Sequence, residues 1–457
     1  MKQFDAIVIG AGQAGPSLAV RLAEAGHRVA IVERKLFGGT CVNTGCTPTK
    51  TLVASARCAW LARRAATYGV TVSGEIGFDL RRAKARADAV SGETRRALES
   101  WLGATERCTI VRGHARFVSR DAVKVGDETL GAPRIFLDVG GRARIPPLGG
   151  LADVPFLTNA SMLALESLPR HLLVVGGGPV GLEFAQMYRR FGSDVTIIEM
   201  GRRLLSHEDA DVCAVVNTVL EREGVAVRTR AECIALRRDA RGVTARLRCD
   251  EGDEEVTGSH VLFATGRRPN TDDLDLGRAG VAVDARGYVV VDDHLRTNVP
   301  GIWALGECNG HGAFTHTAYN DYEIVAANLL DDEPRKLSDR IEAYAVYIDP
   351  PLGRAGATLA AARESGRALL VGERPMTRVL RAVEKDETQG FLRVVVDAET
   401  KRIVGATILG VEGDEAIHGL LYAMYAGATV KTITRSVGIH PTVAELLPTV
   451  LGSLRPL

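Results

Sequence analysis

Residues 4–33, FDAIVIGAGQAGPSLAVRLAEAGHRVAIVE, decide the fold. A largely apolar run over 4–9 reads as a buried strand and ends in Gly10-Ala11-Gly12-Gln13-Ala14-Gly15. Helical spacing follows at Leu18, Leu22 and Ala25, then Gly26, then a second strand at 29–32 closed by Glu33. Each glycine has a task. Gly10 permits the tight turn, Gly12 lets the backbone approach a pyrophosphate, and Gly15 lets helix and strand pack closely. The helix N-terminus then offers free amides and the positive end of its dipole to phosphate. Glu33 is suited to accept hydrogen bonds from a ribose diol.

The unit occurs twice. Leu172 to Val175 leads into Gly176-Gly177-Gly178-Pro179-Val180-Gly181, a helical segment, and a strand at 195–198 ending in Glu199. The interval from first glycine to acid is 23 in both copies, from 10 to 33 and from 176 to 199. One GxGxxG is a weak signal, but two in full strand–turn–helix–strand–acid context predict two dinucleotide sites. Further on, 261–270 reads as a strand running into a turn, and 302–307 as a strand ending in a carboxylate. Beyond about residue 336 the pattern changes. Segments 393–397 and 403–408 predict antiparallel strands, with helices near 414–427 and 443–452. The expected class is α/β, with two Rossmann-type domains followed by a C-terminal α+β domain.

The chain has 457 residues, 46% of them hydrophobic, and a formal charge of +1. That length accommodates two to four domains with real cores. No stretch concentrates Lys and Arg, which argues against nucleic acid as a partner; Arg63-Arg64 and Arg81-Arg82 read as solvated helix faces. Met1-Lys2-Gln3 runs directly into the first strand, so no leader is expected. No run of about 18 uncharged apolar residues predicts a membrane span. Eight cysteines are too sparse for a disulfide scaffold, and a reducing, cytoplasmic setting is expected.

Two of those cysteines lie together in GGTCVNTGCTPTK, residues 38–50. In a straight helix, positions five apart are separated by about 7.5 Å along the axis and about 140° in direction. Disulfide Cα separations rarely exceed about 6.8 Å. If Cys41 and Cys46 are bonded, the helix between them is therefore bent or barely begun, and Gly45 is where it bends at low cost. Such a bond is easily reduced. Zinc would require two further ligands, and none stands nearby at suitable spacing. Two idle cysteines remain an alternative on residue types alone. The pair nonetheless follows the first nucleotide unit directly, and Lys50 stands one helical turn past Cys46, where its charge would favour a thiolate.

Together these stretches resemble the pyridine nucleotide-disulfide oxidoreductases of the glutathione reductase, dihydrolipoamide dehydrogenase and mercuric reductase class. The resemblance spans the chain: GxGxxG at 10–15, GGTCxNxGCxPxK at 38–50, Gly113-His114-Ala115, GxGxxG at 176–181 with Glu183, ATGRRPN at 264–270, Gly306-Glu307, and His440-Pro441-Thr442 with Glu445. It implies FAD in the first unit, near Gly10, Gly12, Gly15, Glu33, Gly39, Thr40, Lys50, Ala115 and Glu307. It implies NADPH or NADH in the second, near Gly176, Gly178, Gly181, Glu199, Arg202, Gly266 and Arg267. Cys41–Cys46 becomes the redox-active disulfide, with Cys46 against the flavin and Cys41 attacking substrate. Lys50 and Glu183 become an ion pair beside the flavin. His440 and Glu445 become the acid–base pair, delivered from the partner of a homodimer. The implied boundaries are 1–148 with 265–335 for FAD, 149–264 for the nicotinamide nucleotide, and 336–457 for dimerisation. No resident metal is implied.

Several positions depart from the family pattern. Glu307 stands where Asp is usual, which shifts its contact to the flavin. Pro179 replaces an aromatic gate of several relatives. Cys308, with His311 and His316 close by, reads as a buried cysteine beside loop histidines, with a metal cluster as the alternative. The chain lacks the C-terminal cysteine pair and N-terminal module of mercuric reductases proper, and most resembles mercuric-reductase-like proteins without metal tails. Its acceptor is expected to be a small disulfide or a related oxidant, with Hg(II), Cu(II), hypothiocyanite and dihydrolipoamide chemistry as alternatives. Glu199 favours NADH, whereas Arg202 and Arg203 suit the 2′-phosphate of NADPH, the coenzyme of the mercuric-reductase-like relatives. A flavin monooxygenase or a non-catalytic flavoprotein would share the nucleotide folds but would not need CxxxxC or HPTxxE.

Overall fold

The computed structural model describes residues 1–240, 242–250 and 252–457. Ala6–Ile9 and Val29–Glu33 are rich in Val and Ile and almost wholly buried, as strands covered on both faces must be. They lie within a five-stranded parallel sheet of order Ile302–Ala304, Ile135–Leu137, Ala6–Ile9, Val29–Glu33, Cys108–Arg112. The strand nearest the N-terminus is central, so the chain leaves it toward one side and returns on the other. The Gly10 turn sits at that switch point, where open α/β sheets bind ligands.

A second parallel sheet repeats the plan in the order Ala226–Arg228, Asp194–Ile198, His171–Val175, His260–Phe263. The C-terminal region forms a six-stranded antiparallel sheet. Phe391–Asp397 pairs there with Ile403–Leu409 in the register Val394↔Ala406. The expected strands and the alternation of α/β with α+β are therefore present.

The helices that build the site are, in chain order, α1 (Gly15–Glu24), α2 (Gly39–Thr44), α3 (Cys46–Arg63), α4 (Leu80–Ala104), α5 (Pro179–Phe191), α6 (Thr315–Leu330) and α7 (Gly413–Tyr425). One apolar cluster joins Leu52 and Ala56 of α3 to Leu182, Phe184 and Tyr188 of α5 and to Val346 and Ile348. Each buried Leu, Val, Ile or Phe among them contributes about 1.5–3 kcal/mol relative to exposure. Arg57 of α3 adds ion pairs to Asp349 and Glu387, both at 2.7 Å, and Arg190 of α5 pairs with Asp349 at 2.5 Å. The cysteine-bearing helix is thus fixed from two sides. Among the described residues, no helix is long and apolar enough to cross a membrane.

Candidate active site

The two glycine turns are near-copies in space. Gly10 has φ +105° and Gly176 φ +112°, conformations that side chains disfavour. A Cβ on Gly10 would come within 2.2 Å of Asp138 O, and one on Gly176 within 2.4 Å of Ala264 O. Glu33 accepts from the amides of Ala11 (2.9 Å) and Lys35 (2.7 Å); Glu199 accepts from those of Gly177 and Gly201, both at 2.6 Å. Gly15 N, the first amide of α1, is held by Asp138 Oδ2 at 2.8 Å, while the Ser17 amide of α1 and the uncapped N-terminus of α5 remain open to an anion. Both cradles fit a dinucleotide: bare backbone, free helix amides, and an acid at the far strand end with acceptor capacity left for a ribose. Gly12 and Gly178 lie in these turns, and Gly15 and Gly181 in the first turns of α1 and α5. Arg202 is exposed just beyond Glu199.

The cysteine helix is docked on the first turn. Gly38 N donates to Ala11 O at 2.7 Å, and a Cβ on Gly39 would reach within 2.9 Å of Gly12 Cα. Thr40 and Cys41 follow on α2. The helix then breaks at Gly45, at φ −140° and ψ −117°, and α3 restarts at Cys46. The break lies at Gly45, where a bond between the two cysteines would need one. No disulfide joins any of the eight cysteines, and the Cys41 and Cys46 thiols act on each other's titration. Hydrogen bonding from Cys41 pulls Cys46 down to about 6, helped by the Thr315 hydroxyl and the Lys50 charge and opposed by desolvation. The same interaction and burial push Cys41 well above the usual thiol range.

Lys50 Nζ lies 2.7 Å from Glu183 Oε2 and 4.8 Å from the Tyr347 ring centroid. Glu183 is buried and also accepts from Tyr347 N at 3.0 Å, so both carboxylate oxygens are engaged. The expected ion pair therefore exists, one turn from Cys46 and at the first turns of α5.

His440 and Glu445 also meet. Nδ1 lies 3.0 and 3.1 Å from the two carboxylate oxygens, which leaves Nε2 directed away from the pair. The His440 side chain is 65% exposed and that of Glu445 13%. Val437 (97%) and Ile439 (79%), on the same segment, are bare to an extent unusual for such residues.

Other expected residues fall as follows. Ala115 is buried at the head of a strand that pairs with Ala122–Val125. Gly266 precedes Arg267, whose guanidinium is taken by Glu307 and Gly141 O. The Cys308 thiol is buried against Leu137 O and Leu305 O, and His316 Nε2 lies 2.7 Å from Ala343 O. Among the described residues no three His, Cys, Asp or Glu side chains converge as metal ligands. Sequence reasoning missed Thr315, 3.3 Å from Cys46 Sγ at the start of α6, and the buried carboxyl of Asp138 behind the first glycine turn. No local pattern marks either.

The description "Pyridine nucleotide-disulphide oxidoreductase" matches residues 4–321, and its dimerisation domain residues 343–451. The chain belongs to this family and is a flavoprotein oxidoreductase of the disulfide-reductase type. Among its relatives, the probable pyridine nucleotide-disulfide oxidoreductase RclA of Escherichia coli (strain K12) is 34% identical, over 98% of both chains. A mercuric reductase of Streptomyces lividans is 34% identical over 97% of this chain and 94% of that one. A dihydrolipoyl dehydrogenase of Thermus scotoductus is also 34% identical, over 97% and 96%. The solved Cu(II) complex of the HOCl-induced flavoprotein disulfide reductase RclA from Escherichia coli superposes with a TM-score of 0.90 at 33% identity, covering 99% of each chain.

Proposed function

We propose that this enzyme uses NADPH to reduce a small disulfide or a related sulfur-directed oxidant, through a Cys41–Cys46 couple beside FAD. The observation that carries this reading is the placement of Cys41 and Cys46 on either side of the Gly45 helix break, with Cys46 Sγ 3.3 Å from the Thr315 hydroxyl and the Lys50–Glu183 ion pair one turn away. Bound FAD would take hydride from the nicotinamide and return the electron pair to the cysteines. Cys41 must lose its proton to act, and His440, held through Nδ1 by Glu445, is suited to take it on Nε2. The Cys41 thiolate attacks one sulfur of R–S–S–R, and the leaving thiolate receives that proton. The Cys46 thiolate then attacks the Cys41 sulfur, closing the Cys41–Cys46 bond and releasing the second thiolate.

His440 is exposed beside bare Val437 and Ile439, which supports a site completed by a second copy of the chain. Residues 1–148 and 265–335 are assigned to FAD, a division supported by the strand Ile302–Ala304 pairing with Ile135–Leu137. Residues 149–264 are assigned to the nicotinamide nucleotide and 336–457 to the subunit interface. NADPH is preferred because two exposed arginines, Arg202 and Arg203, follow Glu199. The RclA structure described as a Cu(II) complex supports copper as a second acceptor to test.

Anaerobic titration tests the reading. Uptake of more than two electrons per flavin, with a long-wavelength thiolate-to-flavin band that Cys46→Ser removes, is expected. A two-electron titration without the band would sink the proposal. A turnover screen with NADPH and NADH against glutathione disulfide, lipoamide, cystine-like disulfides, hypothiocyanite, Hg(II) and Cu(II) then selects the acceptor.

A further inference from the structure

Asp138 stands directly behind the first glycine turn. Its carboxyl is 6% exposed, and Oδ2 accepts from Gly15 N at 2.8 Å. A Cβ on Gly12 would lie 2.8 Å from that same oxygen, and one on Gly306 3.1 Å from Oδ1. No Lys, Arg or His among the described residues pairs with it. The ionisable groups facing it are Glu33, at the end of its strand, Asp321 of α6 and the buried Cys308 thiol. Asp321 is itself tied to Arg340 and to Gly306 N. Asp138 is therefore a buried acid among acids, and burial pushes it up to about 8.

The second nucleotide unit supplies an internal control. There the position facing the first glycine is Ala264, and the turn at Gly176 has nearly the same geometry. The carboxyl is thus not required to build such a turn. It distinguishes the unit assigned to FAD from the unit assigned to the nicotinamide nucleotide.

We propose that Asp138 is a proton-linked positioning residue for FAD: it holds α1 while protonated, takes up a proton when FAD binds, and loosens the cofactor when it ionises. The physical reason is charge. A pyrophosphate at the glycine turn and the N-terminus of α1 adds negative charge close to Asp138, so occupancy and ionisation oppose each other. The protonated carboxyl keeps an oxygen for Gly15 N–H without that repulsion. The inference rests on FAD binding at the first unit and adds its pH dependence.

The test measures FAD dissociation from the full chain by flavin fluorescence between pH 6.5 and 9.5, for wild type, Asp138→Asn and Asp138→Ala. Calorimetry in two buffers of different ionisation heat counts protons taken up on binding. Wild type is expected to lose affinity by up to about tenfold per pH unit above about pH 8, and to take up close to one proton near pH 9 but almost none near pH 6.5. Asp138→Asn is expected to be flat over this range with no uptake, and Asp138→Ala, which copies Ala264, to behave likewise. An equal pH slope in the variants, or no proton uptake by wild type near pH 9, overturns the inference while FAD binding stands. Should neither variant fold, the wild-type proton count decides alone. Failure of wild type to bind FAD at any pH would overturn the underlying assignment as well.

Discussion

Arg267 grips Glu307 with two hydrogen bonds, Nε to Oε1 at 2.5 Å and Nη2 to Oε2 at 2.8 Å, while Nη2 also reaches Gly141 O at 2.7 Å. The longer acid at 307 fits because residue 141 is glycine. A Cβ there would stand 2.6 Å from the Glu307 carboxyl carbon. Gly141→Ala should therefore push Glu307 off Arg267 and cost about 1–3 kcal/mol. Glu307→Asp in the same chain should restore most of that loss, because the shorter acid withdraws. Thermal unfolding of the two single variants and the double variant checks this; additive losses would refute the coupling.

Cys46 carries a pH dependence whose sign follows from its surroundings. A thiol lowered to about 6 is thiolate above that value and protonates as pH falls through it. The charge-transfer band of the reduced enzyme should thus persist at pH 7 and fade with a midpoint near 6. Thr315→Val and Lys50→Met should each move the midpoint upward, since both groups stabilise the thiolate. A midpoint near the ordinary thiol value of about 8.5 in wild type would contradict the geometry.

His440→Ala should separate the two half-reactions. Disulfide turnover should fall by about 10²-fold or more, the usual range for a lost acid–base group, while flavin reduction by the nicotinamide stays fast. Stopped-flow measurement of each half-reaction decides. Equal losses in both would remove His440 from the acid–base role.

The proposed sharing of the site between subunits predicts complementation. Cys41→Ser chains should be inactive alone and His440→Ala chains nearly so, whereas a mixed dimer would contain one site with both wild-type groups. Refolding an equal mixture should recover about a quarter of wild-type turnover, from random pairing in a two-fold dimer. Recovery of none would place both groups of one site on the same chain.

The sequence by itself determined whatever rests on short-range chain geometry. Two strand–glycine–helix–acid units specify two parallel sheets and two phosphate cradles, because turn, helix dipole and strand end all lie within about 23 residues. The five-residue spacing of Cys41 and Cys46 calls for a helix break if the two are to bond, and Gly45 supplies it. Lys50 with Glu183 and His440 with Glu445 were legible only through resemblance to a family; residue types alone would not have joined them.

Tertiary structure decided the contacts between residues far apart in the chain. Thr315 reaches Cys46 across 269 residues, Asp138 reaches Gly15 across 123, and Arg267 reaches Glu307 across 40. Hydrophobic periodicity predicts which face of an element is buried, but not which distant element covers it. That choice depends on strand order: Ile135–Leu137 lies beside Ala6–Ile9, and this brings Asp138 under the glycine turn. A buried carboxyl there has the same local sequence as one at a solvated strand end, and only the packing around it sets its charge.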